Sequence, residues 1–537
     1  MKTGREREDQ WRSLREQAET VLAANTKTEL LGDALSNVTF TYRFPIPCRN
    51  ASAVQESTSS LLAARAFAKA GRSQDAWDAL ESLFSVQATN GMLPKYRYSP
   101  SNDSTSYYIN DTDIPNWPLF QNMSRSFFPP NTSLATKFGV RSSGRITGTP
   151  LHAALVLEMF YLSNQTKNDL LELQRNFDRL YRHYNYLHTV VMRGCHSASY
   201  TTNKIPCYNV VHPWETLLEK DSPLFDTALT QVKKLMKKQD WKPPIATRDA
   251  ASLFLLECIQ NATVDCIHNC EDSILQKCPF AMLDVGHAAL LLKADSDLLT
   301  MAHILQDTHR SELHLSQLFE WKEQSSYVME HYLWNDERQS FLSKMVVFEE
   351  TSSTNTTFTS ISSKWLEHAV SNNFLAFAGG EMKNISHLDS MMFHLLERQG
   401  KFAFDCGSYP LWSTGGCEDA TVSPLINYLI SNGLKHNSVH GMDTFLANST
   451  LNLICGLPNQ VVHDNTSTCA HLSFSGLYNG SSGRPISFHT CGETVTAAVV
   501  YNILVPEKPF HYIPAPPING NWVISHYIGG GGTRDCL

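Results

Sequence analysis

The sequence predicts an all-α fold, an (α/α)6 toroid of paired helices with short β-hairpins in its loops. Apolar residues recur at spacings of three and four along most of the chain, which is the period of an amphipathic helix. The helical segments come in pairs separated by short turns, as in consecutive helical hairpins. Strand-like segments are few and short. A solenoid of helix pairs would need a fixed repeat period, and the sequence has none.

The N-terminal helix and the first hairpin follow from apolar stripes. The first stripe consists of Trp11, Leu14, Ala18 and Val21. An alanine-rich helix covers 61–70, and Gly71 ends it. Ser73 stands where it would cap the next helix. The apolar face of that helix consists of Ala76, Leu80, Leu83 and Phe84.

Two further hairpins are predicted later in the chain. One joins residues 151–162 to a longer helix with a regular apolar stripe. That stripe consists of Leu170, Leu173, Phe177, Leu180, Tyr184 and Leu187. The other joins 280–293 to 298–305 across the sequence Ala-Asp-Ser-Asp. The remaining helical patterns lie at 224–238, 247–259, 312–332, 364–378, 385–399, 421–433, 438–449 and 494–504.

Strands and boundaries complete the predicted organisation. The best strand signals are 341–348 and 521–527, and a long polar loop covers 99–147. No linker composition interrupts the helices, so we expect one helical domain over 41–510. Residues 1–40 would form an N-terminal helix with its lead-in, and residues 511–537 a C-terminal tail.

Length and composition describe an ordinary globular protein. The 537 residues are 42% hydrophobic and 18% charged, which is enough to bury a large core. The net charge of -8 argues against a nucleic-acid partner, because such proteins concentrate Lys and Arg on one face. No apolar run reaches the roughly 18 residues of a membrane-spanning helix. We therefore predict neither a nucleic-acid partner nor a membrane span.

Two features predict passage through the secretory pathway. Thirteen Asn-x-Ser/Thr sequons occur between Asn37 and Asn479. Composition alone gives about five. Thirteen cysteines point the same way, with the disulfide pairing open and one thiol left over. Four of them crowd into one stretch, which favours a disulfide-stapled surface insertion over a zinc site: Cys258, Cys266, Cys270 and Cys278. The first 20 residues are charged where a signal peptide is apolar, so a cytoplasmic protein is the alternative.

The sequence predicts no cofactor and no metal. The glycine run 529–532 lacks the Lys-Ser/Thr of a phosphate-binding loop. His196, His212 and His287 share no spacing typical of metal ligands. No Gly-x-Ser-x-Gly sequence occurs, which removes the simplest serine-hydrolase interpretation.

Seven local motifs, in order, resemble the mannosylglycerate hydrolase type of glycosidase, among the relatives of glycoside hydrolase family 63. They are QATNGMLPKY (87–96), SSGRITGTPLHAAL (142–155), VHPWETLLEKDSPLFD (211–226), FAMLDVGHAALLL (280–292), HYLWNDERQSFL (331–342), VSPLINYLISNGL (422–434) and TVTAAVVYNIL (494–504). The resemblance covers about residues 40–505. It implies a six-hairpin glycosidase fold and a small carbohydrate substrate.

The resemblance implies a general acid in the third motif. Inverting hydrolysis needs one carboxyl group to protonate the leaving oxygen and a second to activate water. The family's acid is the Asp of an Asp-Asn-Ser-Pro step, but the loop is one residue longer here. The acid is therefore Glu219, counting from His212, or Asp221, counting back from the Ser-Pro step. His212, Trp214 and Glu215 would bind substrate, and Trp214 could stack on a sugar. The alternative is core packing by Trp214 and a helix-capping turn at Asp221.

The second carboxyl group is missing from its family position, which Gly476 occupies in FSGLYNGSSG. The nearest replacement is Glu493, at the start of the last helix, where the helix amino end stabilises a carboxylate. A glutamate in a first helical turn is also common without any catalytic role. Glu418 and Asp419, in GGCEDATVSP, are an alternative pair that would lie near the substrate.

Other departures affect the sugar pocket. The family's Trp-x-Trp-Asp is replaced by SAVQESTSS (52–60), its Gln-Pro-Pro by 148–150 and its Tyr-Trp-Arg-Gly-Pro-x-Trp-Pro by 417–424. The family's specificity is therefore not carried over. We predict an inverting glycoside hydrolase acting on a small α-linked glucoside or mannoside. The alternatives are a catalytically silent relative that binds carbohydrate or a protein, and a glycan-processing α-glucosidase of the secretory pathway.

Overall fold

The structure is a computed structural model, and it is predominantly helical, as the sequence predicts. The residues it describes are 4–33, 38–45, 54–88, 90–98, 141–142, 146–189, 210–218, 223–242, 250–263, 270–305, 312–352, 357–367, 371–396, 421–439, 441–456, 474–475, 477–479, 484–486 and 493–505. The predicted strand at 521–527 and most of the predicted loop at 99–147 lie outside them.

The helices match most of the predicted segments. They are α1 (Gly4–Ala24), α2 (Ser57–Lys69), α3 (Ser73–Phe84), α4 (His152–Leu162), α5 (Lys167–Thr189), α6 (Pro223–Ala228), α7 (Thr230–Lys238), α8 (Ala250–Thr263), α9 (Cys270–Lys277), α10 (Val285–Ile304), α11 (Glu312–Tyr327), α12 (Ile385–Leu396), α13 (Pro424–His436), α14 (Met442–Ile454) and α15 (Thr494–Leu504). A 3₁₀ helix covers Ser371–Gly379, and a π-helical turn covers Val328–Leu333.

The strands form small antiparallel sheets between the helices. They are β1 (Thr26–Asp33), β2 (Val38–Pro45), β3 (Val54–Glu56), β4 (Tyr96–Tyr98), β5 (Arg141–Ser142), β6 (Met282–Leu283), β7 (Trp334–Asn335), β8 (Ser340–Phe341), β9 (Lys344–Ser352), β10 (Thr357–Trp365), β11 (Thr421–Val422) and β12 (Tyr478–Asn479). The sheets are β1-β2, β3-β4-β5, β6-β9-β10, β7-β8 and β11-β12.

Six elements form a closed inner ring, in which each packs against the next. Their order around the ring is α2, α4, α10, the 3₁₀ helix, α13 and α15, and α15 returns to α2. These elements are buried along most of their length; twelve consecutive residues of α2, from Ser57 to Ala68, are buried. A helix buried on all sides is what a toroid interior requires. The predicted (α/α)6 toroid is confirmed.

Neighbouring inner elements run parallel. Near the carboxyl end of α2, Lys69 Nζ donates to the carbonyl oxygens of Asn502 (2.7 Å) and Val505 (2.9 Å) at the end of α15. Gly433, late in α13, lies so close to the late residue Phe377 of the 3₁₀ helix that a Cβ would stand 2.4 Å from its carbonyl carbon. Glycine is therefore required where these two backbones meet.

The outer helices pack on the ring as amphipathic elements. α3 packs on α2, α5 on α4 and α10, α11 on α10, α14 on α13, and α1 on α15. α12 follows the 3₁₀ helix and contacts β8. The first helix of the chain thus pairs with the last, and its Leu14, Ala18 and Leu22 join the same core as the inner ring. Asn25 Nδ2 donates to Thr494 Oγ1 (3.0 Å) where α1 and α15 meet.

The predicted third hairpin was wrong, because α10 runs unbroken through the Ala-Asp-Ser-Asp sequence. Polar partners hold its two aspartates inside a helix. Asp295 Oδ1 lies 2.8 Å from His188 Nε2 on α5, and its Oδ2 accepts from Ser325 Oγ on α11 (2.6 Å). Asp297 is paired with Lys293 one turn earlier (2.5 Å). The true outer partner of α10 is α11.

Three smaller expectations also differ from the structure. Ser73 is the first residue of α3 instead of its cap; the cap position is Arg72, and no side chain caps this end. The predicted helix at 364–378 is the end of β10 followed by the 3₁₀ helix. The strand expected at 341–348 is divided between β8 and β9.

A second hydrophobic core lies beside the toroid. It is built from α6 to α9 together with residues of β6, β9 and Leu366. A disulfide bond joins Cys258 on α8 to Cys278 just after α9, as expected for a stapled insertion. We call residues 250–278, which contain α8, α9 and this disulfide, the insertion; it lies between the candidate-acid motif and α10.

Candidate functional site

The amino ends of the inner elements meet at one end of the toroid. The Ser57 N–H donates to Lys95 O (2.9 Å), and the Lys95 N–H donates to Ile146 O (2.8 Å). Asn372, at the start of the 3₁₀ helix, donates through Nδ2 to Asp284 Oδ2 before α10 (2.7 Å). We call this end the rim: the residues at, or just before, the amino ends of α2, α4, α10, the 3₁₀ helix, α13 and α15.

The acid-side loop, residues 210–218, lies on this rim. Val210 exchanges two backbone hydrogen bonds with Met282 (2.8 and 2.9 Å), which ties the loop to the strand leading into α10. A 3₁₀ turn follows at Pro213–Glu215. Proline suits its first position, where a backbone N–H would find no partner within the turn. The described part of the loop ends at Leu218, directly before Glu219.

Glu215 anchors this loop to the chain before α4. Its Oε1 accepts from the Thr147 N–H (3.1 Å) and Oγ1 (3.0 Å), and its Oε2 accepts from the N–H groups of Val211 (2.9 Å) and His212 (3.3 Å). Burial raises the pKa of this carboxyl group, and the hydrogen bonds from Thr147, Val211 and His212 oppose the rise. The carboxylate is fully engaged by protein groups.

His212 closes the same turn from its other side. Its Nδ1 accepts from the Trp214 N–H (3.1 Å), and its Nε2 lies 3.0 Å from Ser252 O on α8. An accepting Nδ1 carries no proton, so Nε2 must be the donor to Ser252. Burial lowers the pKa of His212 to about 3, against the opposing hydrogen bond to Ser252. The neutral imidazole is therefore built into the loop.

Trp214 is the aromatic residue that this loop presents at the rim. It is half-buried, and its indole stands edge-on to the His212 ring with centroids 4.9 Å apart. Lys95 Nζ donates to the Trp214 carbonyl oxygen (2.5 Å), joining the first family-like motif to the third. Backbone and capping contacts hold the position of the indole.

Buried histidines underlie the acid-side loop. His287 Nδ1 lies 3.3 Å from Glu215 O, and His183 Nδ1 accepts from the Leu93 N–H (3.2 Å). The His152 and His183 rings meet edge-on at 5.2 Å. Burial lowers the pKa of His152 to about 4, that of His287 to about 3 and that of His183 well below its usual value.

Asp284 is a rim carboxyl group that sequence reasoning missed. It caps α10 by accepting from the His287 N–H (2.8 Å), and it also binds Asn372 Nδ2 (2.7 Å) and Ser343 Oγ (3.3 Å). Burial raises its pKa, and these hydrogen bonds oppose the rise. An Asp directly before an apolar helical run is an N-cap signal, so the sequence held the information.

The base side of the rim consists of residues 474–475 and 477–479 with the amino end of α15. Glu493 is the N-cap residue of α15; it is half-buried, and its side chain does not cap the helix. Its N–H donates to Phe474 O (2.7 Å), and Thr496 Oγ1 donates to Ser475 O (2.7 Å). β12 pairs with β11 through Asn479 opposite Thr421. The chain segment around the family's base position is thus attached to α15.

The structure brings some predicted site residues together. His212, Trp214 and Glu215 form one cluster on the acid side, and Glu493 lies on the base side. The other predicted positions lie outside the described residues: Glu219, Asp221, Glu418, Asp419 and Gly476.

Neither a metal cluster nor a membrane span occurs among the described residues. No group of three or more His, Cys, Asp or Glu side chains there is placed to hold a metal ion. No helix in that part of the chain combines the length and the apolar character needed to cross a bilayer.

The chain matches a known protein family. Residues 53–403 match the model of the mannosylglycerate hydrolase MGH1-like glycoside hydrolase domain. A curated mannosylglycerate hydrolase from Rubrobacter radiotolerans is 23% identical over 278 residues, which are 49% of this chain and 54% of that protein. The match thus spans about half the length of that relative.

Solved structures show the same fold over most of the chain. The family 63 mannosylglycerate hydrolase of Thermus thermophilus, in complex with Tris and D-glycerate, superposes with a TM-score of 0.64 at 18% identity. The match covers 91% of this chain and 99% of that one. The glucose complex of the Thermus enzyme gives a TM-score of 0.62 at 17% identity, with the same coverage.

Proposed function

The chain belongs to the mannosylglycerate hydrolase-like glycoside hydrolases, and we infer that it hydrolyses a small α-linked glucoside or mannoside with inversion. The observation that carries this inference is the acid-side loop. Contacts from Thr147, Ser252 and Met282 hold it on the rim, and they leave the Trp214 indole half-exposed there. A frame of this kind is what a general acid needs, because a small displacement of the acid costs much of the rate.

The proposed acid is Asp221, with Glu219 as the other candidate. Glu219 directly follows the anchored Leu218, and Asp221 stands two residues before α6 begins at Pro223. The acid protonates the glycosidic oxygen as the bond to the anomeric carbon breaks. A carboxylate on the opposite face of the sugar deprotonates a water molecule, which attacks the anomeric carbon and inverts its configuration. The two carboxyl groups of such an enzyme are about 6.5 to 9.5 Å apart.

The proposed base is Glu493. It stands at the amino end of an inner helix, a position where negative charge is stabilised. Glu418 and Asp419 are the alternative, since they precede β11 by three and two residues and β11 pairs with β12 of the base side.

We propose that Trp214 stacks on the sugar, and that His212 and Glu215 position the loop without contacting the substrate. Both are buried and bind backbone groups of the loop itself, so they position Trp214 and the acid. The sequence interpretation had given them direct substrate contact. The contacts found here favour positioning.

A panel of α-glycosides, from small ones to glucosylated N-glycans, tests the proposal. The Thermus enzyme structures hold D-glycerate or glucose, so the panel includes glucosyl and mannosyl glycerates, disaccharides and glucosylated N-glycans. Released glucose and mannose are measured for the parent, Asp221→Asn and Glu219→Gln. Loss of the acid should lower kcat by about 10²-fold to 10⁴-fold, and the other substitution should have a small effect. NMR of the first-formed anomer then tests inversion.

One observation favours a second candidate, a carbohydrate-binding relative without hydrolysis. Gly476 stands where the family has its catalytic Glu. If the folded parent releases no sugar from the panel but binds a member of it by calorimetry, hydrolysis is rejected in favour of binding.

A further inference from the structure

The sequon asparagines differ from the other asparagines in exposure. Five sequons have an Asn whose exposure the structure describes; four of these side chains are exposed and none is buried. The exposed ones are Asn164, Asn261, Asn384 and Asn448, and Asn479 is half-buried. Thirteen asparagines outside sequons can be compared, and seven of them are buried while two are exposed. The buried seven are Asn25, Asn176, Asn335, Asn372, Asn373, Asn427 and Asn502.

We propose that Asn164, Asn261, Asn384 and Asn448 carry N-linked oligosaccharides. A sequon that arises by chance has no reason to avoid the core, whereas an acceptor must keep its side chain in solvent after folding. Both the excess of sequons and their exposure follow if the sequons are used. The proposal is independent of the glycosidase activity.

The positions leave the rim open. Asn164 follows the carboxyl end of α4, and Asn384 lies five residues beyond the end of the 3₁₀ helix. Both inner elements begin at the rim and extend about 16 to 18 Å from it, so both acceptors lie at the opposite end of the toroid. Asn448 lies on the outer helix α14, and Asn261 lies on α8 of the insertion. Glycans at these positions would cover the outside of the molecule and not the site.

The local contacts at Asn384 are compatible with a glycan. Its Oδ1 accepts from the Ser386 N–H (3.1 Å) and Oγ (2.7 Å), just before α12. These contacts use the oxygen, whereas the glycan would be bonded to Nδ2. The helix start is therefore kept when the site is modified.

Disulfides give a second, independent indication of the compartment. Cys258 is bonded to Cys278, and Cys455 is also disulfide-bonded. Disulfides persist in the oxidising lumen where N-glycans are added. Asn261 even lies between the two cysteines of the first bond.

The modification is a group transfer from a polyprenyl-diphosphate-linked oligosaccharide. The Asn Nδ2 forms a bond to the anomeric carbon of the first sugar. The bond from that carbon to the diphosphate oxygen breaks, the polyprenyl diphosphate leaves with the electron pair, and Nδ2 loses one proton. No oxidant or reductant is involved.

The test is mass spectrometry of the full chain isolated from the cells that naturally make it. Peptide N-glycosidase in ¹⁸O-water converts each glycosylated Asn to labelled Asp. Labelled aspartate is expected at all four positions. Asn168 is the matched control, because it is exposed, lies four residues from Asn164 and is outside any sequon. Unlabelled peptides at the four sites overturn the proposal, whatever the activity of the enzyme.

Variants of a secreted form confirm the assignment of each site. When the chain is expressed through the secretory pathway of cultured cells, Asn164→Gln should migrate faster than the parent on a gel by one glycan, and Asn168→Gln should migrate with the parent. Ser386→Thr keeps the sequon at Asn384 and should keep its glycan, whereas Ser386→Ala should lose it. Equal mobility of parent and Asn164→Gln rejects a glycan there.

Discussion

The acid side and the base side of the rim differ in the contacts that hold them to the rest of the toroid. On the acid side, Glu215 and His212 bind the chain before α4, the helix α8 and the loop itself. On the base side, the contacts include the Phe474 and Ser475 bonds to α15, a two-residue strand pair, and backbone hydrogen bonds that join residues 477–479 to residues 484–486 of the same segment. The motif sequence matches the family on the acid side and departs from it on the base side, where Gly476 replaces a Glu.

The difference suggests which half of the chemistry can be relocated. The proposed general acid must meet one oxygen of the substrate, and the loop that precedes it is anchored through many contacts. A base acts on a mobile water, and any carboxylate at a suitable separation on the opposite face can serve. A base moved from the position of Gly476 to the start of α15 is compatible with an acid-side loop that keeps the family's His-Pro-Trp-Glu sequence.

The largest effect on kcat is expected from removing the proposed base. Glu493→Gln keeps the size of the side chain and removes its ability to take a proton. We expect kcat to fall by about 10²-fold to 10⁴-fold with little change in KM, because the loss is confined to the transition state. Added azide should restore turnover by replacing the activated water, giving a glycosyl azide of inverted configuration.

Glu418→Gln and Asp419→Asn are the matched variants for that experiment. If one of them shows the large loss and the azide rescue while Glu493→Gln stays active, the base is in the 417–424 segment and the assignment to α15 is wrong.

The next effect weakens the acid side. Glu215→Ala removes a buried acceptor of four hydrogen bonds and leaves their donors without a partner. We expect the free energy of unfolding in urea to fall by about 3 to 5 kcal/mol. We also expect kcat to fall in the protein that remains folded, since the acid is no longer held. The Glu81→Ala control removes a partly exposed ion pair with Arg179 on outer helices, and it should leave kcat unchanged. Equal kcat for both variants would reject the positioning role.

Elements governed by local periodicity were predictable, and those governed by distant partners were not. The residues from Leu173 to Leu187 of the predicted stripe form the buried face of α5, whereas Leu170, at the start of that stripe, is exposed. Gly71 follows α2 with a φ of 76°, the left-handed value that ends helices. The Asp-Ser inside α10 looked like a turn. Asp295 stays helical because His188 and Ser325, which are 107 and 30 residues away in sequence, satisfy its carboxylate.

The candidate site divides in the same way. The His-Pro-Trp-Glu sequence identified the acid-side loop, and the structure places it at the rim. The positioning role that we propose for Glu215 depends on its contact with Thr147, which is 68 residues away, so no local pattern could reveal it. His152 and His183 were missed for the same reason, since only the packing of α4 on α5 brings their rings together.

Acidification should weaken the acid side through its buried histidines. Burial lowers the pKa of His152 to about 4, so between about pH 6.5 and 4 the unfolded chain binds a proton that the folded chain does not. Stability is therefore lost as the pH falls through this window, by about 1.4 kcal/mol per pH unit for one such group. His152→Leu should reduce the slope of unfolding free energy against pH by up to that amount. The exposed His331→Gln serves as the control. The buried carboxyl groups contribute equally to the pH dependence of the parent and of His152→Leu. If the slope of unfolding free energy against pH is the same in both, His152 is not the group responsible.

The smallest effect sharpens the comparison on the base side. Thr496→Val keeps the shape of a buried side chain and removes the hydrogen bond from Thr496 Oγ1 to Ser475 O. We expect the free energy of unfolding in urea to fall by about 1 kcal/mol, far less than in Glu215→Ala, because one hydrogen bond is lost instead of four. We also expect kcat to fall several-fold, because residues 474–475 lie beside the proposed base Glu493. Sugar binding, measured by calorimetry, should be unchanged. A loss of stability as large as that of Glu215→Ala would show that the two sides are equally anchored, and the contrast between them would fail.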